Sequence, residues 1–263
     1  MANLKFDVCG IGAGPGGYVA AIRAAQLGKK TCIVEREFLG GVCLNVCCIP
    51  SKAMITAAHF YHRMMHDAPE MGFKIPSSIP LDFAKLQDWK QSVSAKMASG
   101  VGQLLKGNNV EVIMGDATFT SPKSLTVKGA KETSVIEATS FIVATGSRPI
   151  EIPGFKPDEQ LVLTSTGALA QTEKVDRLVV IGGGYIGLEI GSYMAKLGTQ
   201  VSVVEGQPQL LNGVADTDCV QVVARKLKKS GIEVFLNAKA LGWKKGKDGV
   251  EVTIQTDGKE QII

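Results

Sequence analysis

The chain of 263 residues is 45% hydrophobic and 21% charged and has 30 glycines, which indicates a globular protein of one or two domains. Its 29 basic and 25 acidic residues give a net charge of +4 that is spread along the chain, so no nucleic-acid-binding surface is indicated. No stretch supplies the ~20 uninterrupted apolar residues of a membrane helix. An apolar run within the first ten residues leaves no room for a signal peptide, so we expect a cytoplasmic protein.

The first predicted element is a strand that leads through a glycine-rich turn, and the same unit occurs twice. Val8–Glu35 matches Leu178–Glu205 when the sequence is displaced by 170 positions (182 − 12). Each copy reads as a strand, a glycine-rich turn, a helix and a second strand that ends in an acid, which predicts a parallel βαβ unit. We therefore predict an α/β fold with two doubly wound Rossmann-like dinucleotide-binding domains, the second one inserted after the first.

The glycines of each copy have the spacing of a dinucleotide-binding turn. They are Gly12, Gly14 and Gly17 in the first copy and Gly182, Gly184 and Gly187 in the second. The first glycine allows the tight turn, the second lets the backbone approach a pyrophosphate, and the third allows close packing of helix on strand. Glu35 and Glu205 follow 23 residues later (35 − 12 and 205 − 182), where a carboxylate accepts from ribose hydroxyls. Glu205 favours NAD over NADP, because it would repel a 2′-phosphate.

Three of the six cysteines, Cys43, Cys47 and Cys48, lie within six positions, and the six are too few and too unevenly spaced for a secreted disulfide framework. A helical pattern follows Pro50. The helix N-terminus and Lys52 would favour thiolate, which predicts a redox-active pair of Cys43 and Cys48. Zinc would need a second ligand pair, so we expect no metal site. Surface or packing roles are expected for the histidines of the following helix, His59, His62 and His66.

Helical periodicity continues over residues 51–66 and 81–106, and apolar runs then predict three strands. These strands are Val110–Met114, Leu125–Val127 and Phe141–Ala144. A linker rich in proline and glycine follows at 149–157. After the second copy we predict a helix at 216–229, a strand at Glu233–Leu236 and a hairpin with Asp248-Gly249 at its turn.

The stretch from Gly40 to Lys52, GGVCLNVCCIPSK, resembles the active-site signature of the flavin disulfide reductases. Its last four residues, Ile49 to Lys52, are most similar to the dihydrolipoamide dehydrogenase branch, and glutathione and mercuric reductases are the alternative. The resemblance covers essentially the whole chain. It implies a homodimeric enzyme that uses FAD and NAD. Such an enzyme oxidises dihydrolipoamide and the lipoyl domains of 2-oxo acid dehydrogenase complexes, and it passes electrons through a disulfide and FAD to NAD.

The resemblance also implies roles for particular residues. Cys43 would exchange with the substrate, Cys48 would lie against the flavin, and Lys52 would sit near the flavin ring and pair with Glu189. The implied FAD contacts are Gly12, Gly14, Pro15, Gly16, Gly17, Glu35, Gly41, Val42, Cys43, Lys52, Gly115, Asp116, Ala117, Ala144, Thr145 and Gly146. The implied NAD contacts are Gly182, Gly183, Gly184, Tyr185, Ile186, Gly187, Glu189 and Glu205.

The family continues past the position of Ile263 with a central domain and a dimer-interface domain that carries a His-Glu base. The resemblance therefore implies a C-terminally truncated member, with an FAD-binding domain at 1–150 and an incomplete NAD-binding domain at 151–263. The alternative is an FAD- and NAD-binding fragment without dithiol turnover. Cys47 stands where the family has glycine, so strain is expected if that turn uses positive φ. Gly10 has Val180 as its repeat partner, and a glycine there weakens the first strand by roughly 0.5–1 kcal/mol.

Overall fold

A computed structural model describes residues 2–247 and 249–263 of the chain. The chain divides into two compact units. Unit 1 contains the residues up to Pro50 and Gln91–Arg148, and unit 2 contains Ser51–Lys90 and Pro149–Ile263. Residues 51–90 thus group with the second half of the chain, although the sequence places them between the two repeats.

Unit 1 is built on a six-stranded sheet. The elements in chain order are β1 (Ala2–Ile11), α1 (Pro15–Gln26), β2 (Thr31–Glu35), α2 (Gly41–Asn45), the start of α3 (Cys48–Glu70), the later part of α4 (Phe83–Gly107), β3 (Glu111–Met114), β4 (Asp116–Ser121), β5 (Ser124–Lys128) and β6 (Thr133–Val143). The strand order is β3-β2-β1-β6-β5-β4. Strands β3, β2, β1 and β6 are parallel, whereas β4 and β5 extend the sheet as an antiparallel meander. The chain therefore changes direction across the sheet between β1 and β6.

Both faces of this sheet are covered by apolar side chains. All five residues of β2 are buried, which is the pattern of a parallel strand packed on both faces. Cys32 and Val34 belong to the core on one face, and Ile33 belongs to the core on the other, where α1 and α4 pack. The alternation follows from the two-residue period of a strand. This alternation fixes the register of the strands. Gly12 directly follows β1 and therefore lies at the carboxyl edge of the sheet.

Unit 2 contains two three-stranded sheets. Its further elements are α5 (Ser165–Leu169), β7 (Arg177–Ile181), α6 (Tyr185–Lys196), β8 (Gln200–Val204), α7 (Thr217–Lys229), β9 (Glu233–Phe235), β10 (Ala238–Lys245), β11 (Val250–Thr256) and β12 (Lys259–Ile262). Strands β7, β8 and β9 are parallel, and β10, β11 and β12 form an antiparallel sheet. The large core joins α6 to the parallel sheet through Leu188, Tyr193 and Val203. A smaller core with Val204 and Ile254 packs β8 against the antiparallel sheet.

Most predicted elements are present, and the differences have physical causes. The helices predicted at 51–66 and 81–106 are α3 and α4, and the predicted α/β class is confirmed. The strand predicted at Phe141–Ala144 is only the end of β6, which starts at Thr133. Strand β4 was not predicted because it lies at the sheet edge with most of its residues exposed, so burial imposes no alternation on it. Of the turn predicted at Asp248-Gly249, Asp248 lies outside the described residues.

The stretch Gly41–Glu70 is the one part of residues 2–247 and 249–263 that is long and apolar enough, by length and composition, to cross a membrane. Core helices of soluble proteins pass the same test. In unit 2 the side chains of Met54 and Ala58 from this stretch are buried in the core with Leu188. Part of the apolar surface of the stretch is therefore buried in a core.

Candidate active site and nucleotide-binding loops

The glycine-rich turn of unit 1 is a tight loop between β1 and α1. Gly12 has φ +96°, and its N–H donates to Val34 O at 2.8 Å. A Cβ added at Gly17 would lie 1.8 Å from Gly12 O, so helix and loop touch through their backbones. Gly14 is the N-cap of α1, and no side chain of the described residues caps it. The first-turn N–H groups of α1 are therefore free of side-chain caps at the end of the helix that favours anions.

Glu35 holds this loop in place from the neighbouring strand. Its Oε2 accepts from Ala13 N–H at 2.7 Å, and its Oε1 accepts from Glu37 N–H at 2.8 Å. Gly115 N–H donates to Glu35 O at 2.8 Å, which brings the segment after β3 to the same edge. Hydrogen bonds to a charged acceptor contribute about 1.5–3 kcal/mol each. The sequence predicted Glu35 as a ribose ligand, and its contact with Ala13 was missed.

The segment Ala144–Gly146 lies against the same loop. Ala144 N–H donates to Ile11 O at 2.8 Å, and a Cβ added at Gly12 would lie 2.2 Å from Ala144 O. Gly146 has φ +77°. The structure thus brings the predicted FAD contacts after β1, β3 and β6 together at the carboxyl edge of the sheet. Ligands of open α/β sheets bind at such an edge, where the strand order reverses.

Unit 2 repeats this arrangement. Gly182 has φ +101°, and Gly184 is the N-cap of α6 without a cap from any described side chain. Glu205 Oε2 accepts from Gly183 N–H at 2.5 Å, and its Oε1 accepts from Gln207 N–H at 2.7 Å. These contacts are the repeat equivalents of the Glu35 contacts in unit 1. The register of the repeat relates the two hydrogen bonds of Glu205 to the two of Glu35, and it was the available signal for both.

The start of α6 is open on its outer side. Tyr185 and Ile186 are exposed, and the space around Gly182 and Gly184 is free of any neighbour within 4 Å of an added Cβ. A Cβ added at Gly187 would lie 2.6 Å from Val180 Cγ1, which is the close helix-to-strand packing that the spacing predicts. The loop therefore presents backbone to solvent while its helix is held tightly on the strand.

The cysteine motif begins directly against the first glycine-rich loop. Gly41 has φ +62°, and a Cβ added there would lie 2.5 Å from Gly14 Cα. Cys43 lies inside α2, whereas Cys48 is the first residue of α3. The thiols of Cys43 and Cys48 are free of disulfides in the structure.

The structure contradicts the expected thiolate at Cys43. Desolvation raises the pKa of Cys43 to about 11, and a hydrogen bond with Cys48 and the negative charges of Cys48 and Cys47 act in the same direction. A backbone hydrogen bond from Cys48, at the start of α3, lowers the pKa of Cys43 but is the smallest of these effects.

The expected strain at Cys47 is also wrong. The non-glycine residues with positive φ in the described chain are Asn109, Glu159, Leu211, Asn237 and Asp257. Cys47 is therefore in an ordinary backbone region, and its Cβ needs no left-handed conformation. The positive φ values of this motif occur instead at Gly40 and Gly41, where α2 begins.

Lys52 and Glu189 form an ion pair in unit 2. Lys52 Nζ lies 2.6 Å from Glu189 Oε1 and 2.7 Å from Oε2, so one ammonium group faces both carboxylate oxygens. Ser51 Oγ donates to Glu189 Oε2 at 2.7 Å. The resemblance implies the Lys52–Glu189 pair, but Ser51 was missed. Its place beside Lys52 in the signature was the available signal, and the contact spans 138 residues of sequence.

The three histidines of α3 have different surroundings. His59 Nε2 lies 2.5 Å from Lys196 Nζ, and desolvation, together with the charges of Lys196 and Lys226, lowers the pKa of His59. The rings of His62 and His66 are 4.3 Å apart. Within residues 2–247 and 249–263 no group of three or more His, Cys, Asp or Glu residues could hold a metal ion.

Two glycine-rich loops that each end in a helix N-terminus, two acids that hold them, and a dithiol beside the first loop define a two-nucleotide redox protein of the disulfide reductase class. Comparison with known proteins agrees with this description. The chain belongs to the pyridine nucleotide-disulphide oxidoreductase family, whose model matches residues 6–263. Members of this family use FAD and NAD(H).

Curated relatives and solved structures extend the comparison. The chain is 49% identical to dihydrolipoyl dehydrogenase of Geobacillus stearothermophilus over 96% of its own length and 53% of the relative's. It is 48% identical to dihydrolipoyl dehydrogenase of Bacillus subtilis over 99% of its length and 55% of the relative's. The structure of LpdA from Mycobacterium tuberculosis matches with a TM-score of 0.85 and 26% identity, over 100% of this chain and 57% of that one. The chain therefore spans about half the length of the curated relatives it matches.

Proposed function

We propose that the chain carries the FAD- and NAD-binding parts of a dihydrolipoyl dehydrogenase, with FAD in residues 1–150 and NAD in residues 151–263. The observation that supports this most directly is the contact between the signature and the first loop, where Gly41 lies against Gly14. The segment that bears Cys43 thus lies beside the N-terminus of α1, which is our proposed site for the FAD pyrophosphate. A redox dithiol next to a flavin site is the arrangement that a disulfide reductase needs.

The residues of unit 1 fit FAD. The close backbone approach at Gly12 and Gly17 leaves no room for side chains, and the α1 N-terminus offers N–H groups to a pyrophosphate. Glu35 keeps two carboxylate oxygens at the loop, each of which has a further lone pair for a ribose hydroxyl. Gly115 and Ala144 border the same edge. We propose that the remaining FAD contacts implied by the resemblance line this edge.

The residues of unit 2 fit NAD in the same way. The open backbone at Gly182 and Gly184 and the uncapped start of α6 suit a pyrophosphate, with Tyr185 and Ile186 exposed beside it. Glu205 lies at the end of β8 with its carboxylate at the loop. A carboxylate there disfavours a 2′-phosphate, which supports NAD as the nicotinamide substrate.

The chain's own groups account for the thiol steps of the reaction. A dihydrolipoyl thiolate attacks Cys43 Sγ of the oxidised pair, a mixed disulfide forms, and Cys48 leaves with the electron pair. The second substrate thiol attacks the mixed disulfide, which releases lipoyl disulfide and leaves Cys43 reduced. Its raised pKa favours the protonated thiol at this stage. When bound, FAD supplies the chemistry that accepts two electrons from the dithiol and delivers a hydride to NAD.

Lys52 and Glu189 are proposed to act together at this site. The carboxylate of Glu189 fixes the Lys52 ammonium through two contacts, and Ser51 orients the carboxylate. An ammonium held in one position can polarise a flavin ring more effectively than a freely rotating one. The resemblance further supports dihydrolipoamide and lipoyl domains of 2-oxo acid dehydrogenase complexes as substrates, a homodimeric assembly and a cytoplasmic location.

The test uses Cys43→Ser and Cys48→Ser, with Cys219→Ser as the matched control. Cys219 is an exposed thiol on α7, so its replacement removes a thiol without touching the motif. We expect the two motif variants to keep bound flavin and NADH-dependent dye reduction and to lose dihydrolipoamide-dependent NAD reduction. The control should keep all three. Full dihydrolipoamide turnover in either motif variant would refute the assignment of the disulfide.

A further inference from the structure

Unit 1 contains a third thiol next to the proposed redox pair. Cys43 lies in α2, which is closed at its C-terminus by a hydrogen bond from Val46 N–H to Val42 O at 3.0 Å. Cys47 occupies the short connection between this cap and α3, which begins at Cys48. Cys43 and Cys47 are half-buried and Cys48 is exposed. None of the steps of the proposed reaction uses Cys47.

The three sulfurs act on one another. The thiols of Cys43 and Cys48 share a hydrogen bond, and the charges of both Cys48 and Cys47 disfavour the thiolate of Cys43 and so raise its pKa. Charge interactions of this kind fall off with distance, so all three thiols belong to one cluster. Cys47 can therefore compete with Cys48 for a disulfide bond with Cys43.

Chain geometry selects which disulfides the cluster can form. Cα atoms of adjacent residues are about 3.8 Å apart across a trans peptide, whereas disulfides join Cα atoms about 4.4–6.8 Å apart. A bond between neighbours Cys47 and Cys48 is therefore disfavoured. Cys43 is separated from Cys47 by three residues and from Cys48 by four, so this constraint on neighbours does not apply to it. The raised pKa of Cys43 makes it a poor leaving group, and attack on Cys43 Sγ keeps Cys43 in the disulfide.

We propose that Cys47 is a third exchange thiol of this site, which takes Cys43 from Cys48 and creates a second, inactive disulfide isomer of the oxidised protein. The inference rests on the proposed function, which supplies the Cys43–Cys48 disulfide. The Cys47 thiolate attacks Cys43 Sγ, and the Cys43–Cys47 bond forms as the Cys43–Cys48 bond breaks. Cys48 leaves with the electron pair and takes up the proton that Cys47 released, so the oxidation level of the protein is unchanged.

The exchange has a functional consequence. In the Cys43–Cys47 isomer the exposed Cys48 is a free thiol, and the sulfur proposed to pass electrons to FAD is outside the disulfide. Only the Cys43–Cys48 isomer is competent for turnover. The equilibrium between the two disulfide isomers would then set the active fraction of the protein. An added thiol reductant would return the inactive molecules to activity by reducing the Cys43–Cys47 disulfide.

One tryptic peptide reports both isomers. Cleavage after Arg36 and Lys52 places all three thiols on a single peptide, so the alkylated residue identifies the disulfide. The full chain with bound FAD is oxidised with diamide, its free thiols are trapped with iodoacetamide, and the unreduced peptide is sequenced by mass spectrometry. We expect one label per peptide, shared between Cys47 and Cys48. In Cys47→Ser and in Cys48→Ser the peptide should carry no label.

The outcomes separate this inference from the proposed function. A label confined to Cys47 in the wild type would overturn the exchange and leave the Cys43–Cys48 disulfide intact. Labels on all three thiols would mean that no disulfide forms, and both proposals would fall. Cys219 should be labelled in every sample and serves as the internal control for alkylation. Preincubation with dithiothreitol should raise the initial dihydrolipoamide-dependent rate of the wild type and leave that of Cys47→Ser unchanged.

Discussion

The contact between α1 and its loop allows a quantitative prediction for Gly17→Ala. The added Cβ would lie 1.8 Å from Gly12 O and 2.9 Å from Gly12 C, and both atoms belong to the backbone. An ordinary C···O separation is about 3.3 Å, so α1 must move by roughly 1.5 Å. Overpacking costs about 1–3 kcal/mol, and the lower chain entropy of alanine offsets about 0.5–1 kcal/mol of it. We expect a net destabilisation of unit 1 of about 2 kcal/mol.

The same movement affects nucleotide binding. Displacing the α1 N-terminus weakens the hydrogen bonds that its N–H groups offer to a phosphate, each about 1.5–3 kcal/mol for a charged acceptor. The loss of one such bond corresponds to at least about a tenfold decrease in flavin affinity. The assay is the quenching of flavin fluorescence on binding, combined with urea unfolding followed by circular dichroism.

A matched control is built into the chain. Gly100 lies in the unit 1 part of α4 with no neighbour within 4 Å of an added Cβ, so Gly100→Ala should stabilise by about 0.5–1 kcal/mol and leave flavin affinity unchanged. The reasoning fails if Gly17→Ala matches the wild type in both flavin affinity and unfolding.

Three further predictions concern titratable groups. The raised pKa of Cys43, about 11, predicts that its alkylation by iodoacetamide accelerates up to that pH, and a plateau near pH 7 would contradict it. The Lys52–Glu189 pair is partly exposed and contributes less than about 1 kcal/mol to stability. The variant Glu189→Gln should therefore barely shift urea unfolding but should slow dihydrolipoamide oxidation several-fold. Equal oxidation rates in the variant and the wild type would count against a positioning role for Glu189. The pKa of His59 is lowered in the fold, so the stability that His59 contributes is present above pH 6.5 and is lost as the pH falls. The variant His59→Gln keeps an acceptor for Lys196 but does not titrate. Its urea midpoint should therefore decrease less than that of the wild type between pH 7 and pH 5. An equal decrease in wild type and variant would refute this assignment.

The sequence alone predicts the two loops well because the physics that fixes them is local. The turn after β1 and the packing of α1 both require glycine, and the spacing records that requirement in both copies. The same register predicts which acids stand at the strand ends. Glu35 and Glu205 each accept a hydrogen bond from the residue that follows the first glycine of the loop. The repeat thus recorded a structural role of both acids in their loops, which the spacing rules did not use.

Features that depend on tertiary context could not be predicted in this way. Ser51 meets Glu189 across 138 residues, and no local pattern records such a contact. The pKa of Cys43 depends on burial and on which helix carries the thiol, and the boundary between α2 and α3 is invisible to periodicity over so few residues. Strand β4 is exposed at a sheet edge, so its sequence carries little burial pattern.

A visible spectrum shows whether this chain holds a flavin next to a working dithiol. The purified chain is reconstituted with FAD, freed of excess cofactor and titrated anaerobically with NADH. We expect a bound flavin band that is replaced, at stoichiometric NADH, by long-wavelength charge-transfer absorbance that Cys48→Ser lacks. If the chain retains no flavin after reconstitution, the proposed flavin site is wrong.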